Sequence, residues 1–247
     1  MSTVLVLGGA TGIGAAAVRA FRAQGDTVVL ADRSVAAGEA LIAEPAAGTG
    51  HFVEVDLVDP DAPRRAVEQA VAFAGGLDVV FYNAGILEAH PLDEWTIESW
   101  DRNLRVNLTA PFFTAQAAAP YLRQSEQGRI IITSSTGALR GHAGMPAYHS
   151  TKSGILGLVR VLADELGPDG ITVNTVLPGW VDTPFNDAFW HHQDDPEAAL
   201  RDLESRIPLG RQALPEDVVG TIVFLASPAS QYITGQSIVV DGGYTAV

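Results

Sequence analysis

At 247 residues, 47% hydrophobic and 18% charged, the chain has the composition of a folded globular protein and is long enough for a sizeable core. Its formal charge of −14, with no basic cluster longer than Arg64-Arg65, excludes a phosphate-backbone binder, and zero cysteines exclude disulfides, thiolate chemistry and cysteine-ligated zinc. No uninterrupted apolar run reaches the ~18 residues of a membrane span, and the first residues, with no cation before Arg19, do not read as a secretory leader. The expectation is a soluble cytoplasmic protein that takes an uncharged small molecule.

A first strand is predicted over Val4–Leu7 and runs directly into Gly8-Gly9-Ala10-Thr11-Gly12-Ile13-Gly14, followed by an alanine-rich helix ending near Gln24. Glycines permit a tight turn there, and the free N–H groups at the helix start can hold a pyrophosphate. Gly8, Thr11, Gly12, Ile13 and Gly14 are therefore candidate cofactor contacts. A second strand over Thr27–Leu30 leads to Asp32, 18 residues past Gly14 (32 − 14), where a dinucleotide fold sets an acid against the adenosine ribose. A carboxylate accepts both ribose hydroxyls of NAD and repels a 2′-phosphate. Arg33, directly after it, could receive that phosphate, so NAD is expected and NADP is the alternative.

Further strands are predicted over Phe52–Val55, Val79–Tyr82, Arg129–Thr133, Thr172–Leu177 and Ser237–Val240. Seven strands with helical crossovers predict an α/β fold, a doubly wound parallel sheet with helices on both faces, in one domain over residues 1–247. Leu108–Leu122, with Phe112, Phe113 and a run of alanines, is apolar around nearly the whole helical circumference, which predicts burial on more than one side and a partner subunit. Pro184–Ile207 holds no strand but carries Phe185, Phe189, Trp190, His191 and His192, the pattern of a lid at about 184–207. His191-His192 with Asp194-Asp195 invites a metal reading. Adjacent helical residues diverge by about 100° and no strict ligand spacing is present, so no metal is expected.

Fourteen of the fifteen cations are arginine; the single lysine, Lys152, stands four residues after Tyr148. Positions i and i+4 share a helix face, so a compact ammonium can stand near the phenol and favour its ionised form. That pattern predicts a proton-transfer tyrosine.

Gly8-x-x-x-Gly12-x-Gly14, Asn83-Ala84-Gly85, Asn107, Ser135 with Tyr148-x-x-x-Lys152, Pro178-Gly179 with Thr183, and Asp241-Gly242-Gly243 together resemble the short-chain dehydrogenases/reductases over essentially the whole chain. The serine-to-tyrosine interval of 13 (148 − 135) matches the family and selects Ser135 over Ser134. The resemblance implies a Rossmann-like fold and a catalytic tetrad of Asn107, Ser135, Tyr148 and Lys152. In it Tyr148 is the acid/base and Ser135 orients the substrate oxygen. Lys152 lowers the tyrosine pKa and binds the nicotinamide ribose, and Asn107 holds a water. It further implies that Asp56 and Leu57 meet the adenine, that Asn83, Ala84 and Gly85 line the centre of the cofactor site, and that Pro178, Gly179, Val181 and Thr183 sit at the nicotinamide amide. Two positions depart from the family pattern: Leu7 stands where a threonine is usual, and Tyr82 where the first asparagine of Asn-Asn-Ala-Gly is usual.

Substrate contacts are expected just after Ser135, just before Tyr148 and in the lid, at Gly137, Ala138, His142, Met145, Trp180, Phe185, Phe189 and Trp190, with His149 as a further polar point. The expected activity is NAD-dependent interconversion of a secondary alcohol and a ketone. The alternatives are an NADPH-dependent carbonyl or 3-oxoacyl-thioester reductase and a cofactor-sensing binding protein without turnover. The resemblance also suggests a homotetramer.

Overall fold

Most strand residues are buried in continuous runs, with alternate side chains entering two opposed cores, which is what a sheet covered on both sides requires. The computed structural model describes residues 1–190 and 195–247. Its strands are β1 (Thr3–Leu7), β2 (Thr27–Asp32), β3 (Gly50–Glu54), β4 (Val79–Tyr82), β5 (Arg129–Thr133), β6 (Thr172–Pro178) and β7 (Ser237–Val240), all parallel in the order β3-β2-β1-β4-β5-β6-β7. Two boundaries move usefully from the sequence reading. β2 runs on to include Asp32, and β6 includes Pro178, so both candidate residues sit at carboxyl ends of strands.

Helices α1 (Gly12–Ala23), α2 (Val35–Ala43) and α9 (Pro215–Ala226) cover one face, where Val4, Val6, Val28, Leu30, Phe81 and Ile131 meet them. Helices α3 (Ala62–Ala74), α5 (Ala110–Leu122) and α6 (Pro146–Leu166) cover the other, against Leu5, Leu7, Val29, Val80, Ile130 and Ile132. The period-two split of the β-branched residues thus decides which helices pack where. The helix α4 (Ile97–Leu104) runs through a π-helical turn into α5 and packs on α6, whereas the short helices α7 (Asp187–Trp190) and α8 (Pro196–Ser205) lie outside these layers.

The strand order reverses direction between β1 and β4, and a crevice opens beyond their carboxyl ends. The turn after β1 lies there. The missing threonine at Leu7 costs it little, because the Leu7 carbonyl accepts from both Asn83 N–H and Ala84 N–H at 2.9 Å. The Asn83 amide adds a bond to the Gly8 carbonyl at 3.0 Å.

α5 starts later than the apolar run suggested, because Arg105–Thr109 is a π-helical turn. Ala110, Thr114, Ala115, Ala118 and Leu122 are buried, whereas Phe112 and Phe113 remain 37% and 42% exposed on the opposite side. The lid expected over 184–207 contains a 3₁₀ turn, Pro184–Asn186, then α7 and α8. His191, His192 and Asp194 lie outside the described residues, while Asp195 caps α8 by accepting from Ala198 N–H at 2.9 Å. Among the described residues, no helix is long and apolar enough to cross a membrane.

Candidate active site

A cleft of about 480 Å³ runs along the carboxyl ends of the strands, from Asp32 and Asp56 at one end to Ser135, Tyr148, Trp180 and Phe185 at the other. At its centre the glycine turn makes contacts that a side chain would block. A Cβ on Gly8 would fall 2.4 Å from the Ala84 backbone, and one on Gly14 would fall 2.1 Å from the Gly8 carbonyl oxygen. Gly8 and Gly12 also take the left-handed backbone, with φ of 74° and 52°. Gly14 itself does not line the cleft; its role is to let α1 pack against the turn. Thr11 precedes α1 without a side-chain cap, and the first turn carries no acid. Its amides and the positive end of the helix therefore face the cleft free for an anion, which fits a pyrophosphate.

Asp32 is anchored by its neighbours. Ala10 N–H donates to Oδ2 at 3.0 Å and Ser34 N–H to Oδ1 at 2.9 Å, leaving each oxygen a lone pair toward the cleft. The arrangement suits an acceptor of two hydroxyls. Arg33 lines the same end of the cleft, exposed, and forms no ion pair among the described residues. Asp56 accepts from Val58 N–H at 3.0 Å, and Leu57, largely buried, lines the same end of the cleft.

Asn83, Ala84 and Gly85 line the middle of the cleft, and Pro178, Gly179, Val181 and Thr183 the side opposite Tyr148. A Cβ on Gly85 would stand 3.4 Å from Asn107 Oδ1 and 3.5 Å from Lys152 Nζ, so the glycine keeps the backbone low beneath both groups.

The four residues expected as a tetrad come from three elements, and Ser135, Tyr148 and Lys152 meet in the cleft. Ser135 leaves the end of β5, and its Oγ accepts from Gly137 N–H at 2.9 Å. Ser134 is turned inward, donating to the Lys152 carbonyl at 2.7 Å, which gives the physical reason for choosing between the two serines. Tyr148 and Lys152 lie on one face of α6 with Nζ 5.7 Å from the phenol ring centroid. Nζ donates to the Thr133 carbonyl at 2.9 Å. Thr133 is a site residue that sequence reasoning missed; its hydroxyl also donates to Asn83 Oδ1 at 3.1 Å, joining the lysine anchor to the glycine turn. Its position just ahead of the serine pair on a strand end was the available signal.

Charge in this corner is governed by burial. Burial pushes the Tyr148 phenol above its ordinary value, and the hydrogen bond with Ser135 pulls it back. The sequence reading credited Lys152 with the downward pull; the structure assigns that pull to Ser135. Burial also brings the Lys152 ammonium down to about 8.

Asn107 lies in the π-helical turn, fully buried and behind the cleft wall rather than on it. Its amide accepts from Ile86 N–H at 2.8 Å, donates to the Ile86 carbonyl at 2.9 Å and donates to Thr151 Oγ1 at 3.3 Å.

Of the expected substrate contacts, Gly137, His142, Met145, Trp180 and Phe185 line the cleft. Phe185 lies 6.1 Å from the Tyr148 ring. Phe189 and Trp190 instead pack on Trp180 at 4.7 and 5.5 Å between centroids, away from the cleft lining. Trp190 and Trp180 in turn rest on Leu203, Ile207 and Tyr244. Ile86 and Leu87, which follow the Asn-Ala-Gly run, also line the cleft and carried no sequence signal. Among the described residues, no group of three or more potential ligand side chains could hold a metal ion.

A family model described as enoyl-(acyl carrier protein) reductase matches residues 8–245. The chain is 40% identical over 243 residues to a probable galactose dehydrogenase of Rhizobium meliloti (strain 1021), covering 97% of this chain and 93% of the relative. It is 40% identical over 242 residues to a 3-alpha-(or 20-beta)-hydroxysteroid dehydrogenase of Mycobacterium tuberculosis (strain ATCC 25618 / H37Rv), covering 98% and 88%. Among solved structures, levodione reductase superposes with a TM-score of 0.92 at 26% identity, covering 99% of this chain and 97% of that one. The chain belongs to the short-chain dehydrogenase/reductase family and is an oxidoreductase of that family acting on CH–OH groups.

Proposed function

We propose that this protein is an NAD-dependent dehydrogenase that interconverts a cyclic secondary alcohol and its ketone, with Tyr148 as the acid/base. The observation that carries the reading is that Ser135, Tyr148 and Lys152 share one cleft with the glycine turn and Asp32. When bound, the dinucleotide supplies the hydride acceptor.

The protein's residues do the rest. The α1 amides and the glycine turn hold the pyrophosphate, and Asp32 accepts the ribose hydroxyls. Tyr148 takes the proton from the alcohol oxygen in oxidation and returns it in reduction, while Ser135 donates to that oxygen. A lysine brought down to about 8 exchanges protons readily near neutral pH, which suits Lys152 as the next carrier after the phenol. Asn107 positions Gly85-Ile86 beneath the reacting centre. Galactose and 3-alpha-hydroxysteroids, in the names of the two relatives, carry hydroxyls on ring carbons. The cleft walls support the same choice here: Trp180, Phe185 and Tyr148 offer flat apolar faces around the proton-transfer group. One domain, a cytoplasmic location and assembly through the face bearing Phe112 and Phe113 complete the reading.

The second reading, an NADPH-dependent reductase, is supported by the exposed Arg33 beside Asp32. Paired titrations with NADH and NADPH, followed by nicotinamide fluorescence, separate the two. Tighter NADH binding supports the first, tighter NADPH binding the second, and binding of neither overturns both. A panel of cyclic alcohols with NAD then tests turnover.

A further inference from the structure

One imidazole holds the segment between β5 and α6. His149 Nδ1 lies 2.6 Å from the Gly137 carbonyl oxygen, and His149 Nε2 accepts from the His142 backbone N–H at 3.1 Å. A backbone N–H can only donate, so Nε2 must present a lone pair; the ring proton therefore sits on Nδ1 and is donated to the Gly137 carbonyl. The ring thus bridges the turn that carries Ser135 to the loop that carries His142, and it can do so only as the neutral Nδ1–H tautomer. The seat is tight: a Cβ on Gly137 would fall 2.9 Å from Nδ1.

The loop end of this bridge shapes the cleft. Anchored through its own amide, His142 stacks on the His149 ring at 5.3 Å with the planes 23° apart, and meets Trp180 edge-on at 5.7 Å. His142 therefore spans from α6 to the Trp180 wall. Burial, helped by the Arg140 guanidinium and by His149 whenever that ring is protonated, lowers the His142 pKa and favours its neutral ring.

We propose that His149 is a positioning residue for substrate selection: as the neutral Nδ1–H tautomer it latches the loop over residues 139–145 to the Ser135 turn and so sets His142 as a wall of the substrate cleft. This role in substrate selection rests on the dehydrogenase reading above, whereas the latch itself does not.

Protonation of His149 puts a hydrogen on Nε2, directly against the His142 N–H, and the bridge opens. The titratable groups around the ring do not offset this. Tyr148 faces it from α6 with ring centroids at 5.8 Å, and the His142 ring faces it from the loop. Arg140, on the same loop, turns its guanidinium over the Tyr244 ring at 4.4 Å and donates to the Tyr244 carbonyl at 3.2 Å. The Ser135 turn presents no ionisable side chain, and Lys152, one turn along α6, adds a further cation. Among the described residues no ion pair includes His149, so no carboxylate shields an imidazolium. Substrate KM should rise on acidification as the bridge opens, while NADH affinity stays level.

The test has a part that needs no substrate. Long-range ¹⁵N–¹H NMR of the full-length protein near neutral pH should show His149 as the Nδ1–H tautomer, and hydrogen exchange should show the His142 amide protected, with protection lost on acidification. An Nε2–H tautomer, or an unprotected His142 amide in the neutral protein, overturns the latch. The second part compares His149→Leu, which loses both hydrogen bonds, with His149→Gln, whose amide can donate at one end and accept at the other without titrating.

With NAD and cyclohexanol or D-galactose, His149→Leu should raise KM about tenfold, roughly the worth of two ordinary hydrogen bonds, with kcat changed less than about threefold. His149→Gln should recover KM and lose its pH dependence. A KM in His149→Leu within about twofold of the parent, or an unchanged KM–pH profile in His149→Gln, overturns the positioning role. If the parent protein turns over no alcohol, the dehydrogenase reading and the selection role built on it fail together, and the NMR result still decides the latch.

Discussion

The Tyr82 hydroxyl donates to the Val106 carbonyl oxygen at 2.6 Å, and both groups are buried. The α-helical donor for that carbonyl, Ala110 N–H, is diverted to the Arg105 carbonyl by the π-helical turn. Residue 111, next in line, is a proline without an N–H. Tyr82 therefore supplies a donor that the helix cannot. The departure at the end of β4 is thus tied to the turn carrying Asn107. Replacing Tyr82 with Phe leaves the carbonyl unpaired in the core and should cost about 1–3 kcal/mol, measured by urea unfolding. A loss below about 0.5 kcal/mol would show that the carbonyl finds another donor.

Tyr148→Phe should remove the proton path while leaving the cofactor cradle untouched. Turnover should fall by at least about 10²-fold, with NADH affinity changed less than about threefold by titration. Retained turnover would transfer the acid/base role to another group.

The Asp32 carboxylate, fixed by two backbone N–H donors, is placed to accept ribose hydroxyls. Asp32→Ser should weaken NADH by about tenfold or more, since hydrogen bonds to a charged acceptor are worth roughly 1.5–3 kcal/mol. NADPH binding should improve, with Arg33 nearby. Equal effects on the two dinucleotides would detach Asp32 from their discrimination.

Lys152 gives stability a pH dependence of definite sign. Its ammonium is disfavoured in the folded state, with a pKa of about 8 against an ordinary 10.5. Below about 8 both states are protonated and the cost of burying the charge is fully present; above it the folded state sheds the proton first and the cost is relieved up to the ordinary lysine value. Unfolding free energy should therefore rise from about pH 8 to about pH 10.5 relative to Lys152→Met. The raised phenol of Tyr148 lowers stability beyond about pH 10 in both proteins, because the unfolded chain loses the tyrosine proton first, and so cancels in the difference. A wild-type-minus-variant difference that is flat with pH would mean the lysine is solvated.

Phe112 and Phe113 pack edge-to-face at 5.1 Å on the outer side of α5, too exposed for a core and too apolar for a solvated face. Phe113→Asp should dissociate the assembly proposed for this face, read by light scattering at micromolar concentration. A monomeric parent protein would refute the assembly outright.

Much of this protein is a local matter, and there the sequence sufficed. Strand positions follow from β-branched runs, the glycine turn from the need for positive φ at Gly8 and Gly12, and the Tyr148/Lys152 pairing from helical spacing alone. What distant segments do to one another was not legible. The direction of the Tyr148 shift depends on how deeply α6 is buried, not on the lysine four residues away. The retreat of Trp190 behind Trp180 depends on where Leu203, Ile207 and Tyr244 provide an apolar seat. The roles of Thr133 and Tyr82 depend on carbonyls and donors left over when β5, α6 and the π-helical turn before α5 meet. Periodicity reports which face of an element is apolar, whereas only close packing fixes which polar atom meets which and how much water remains around a charge.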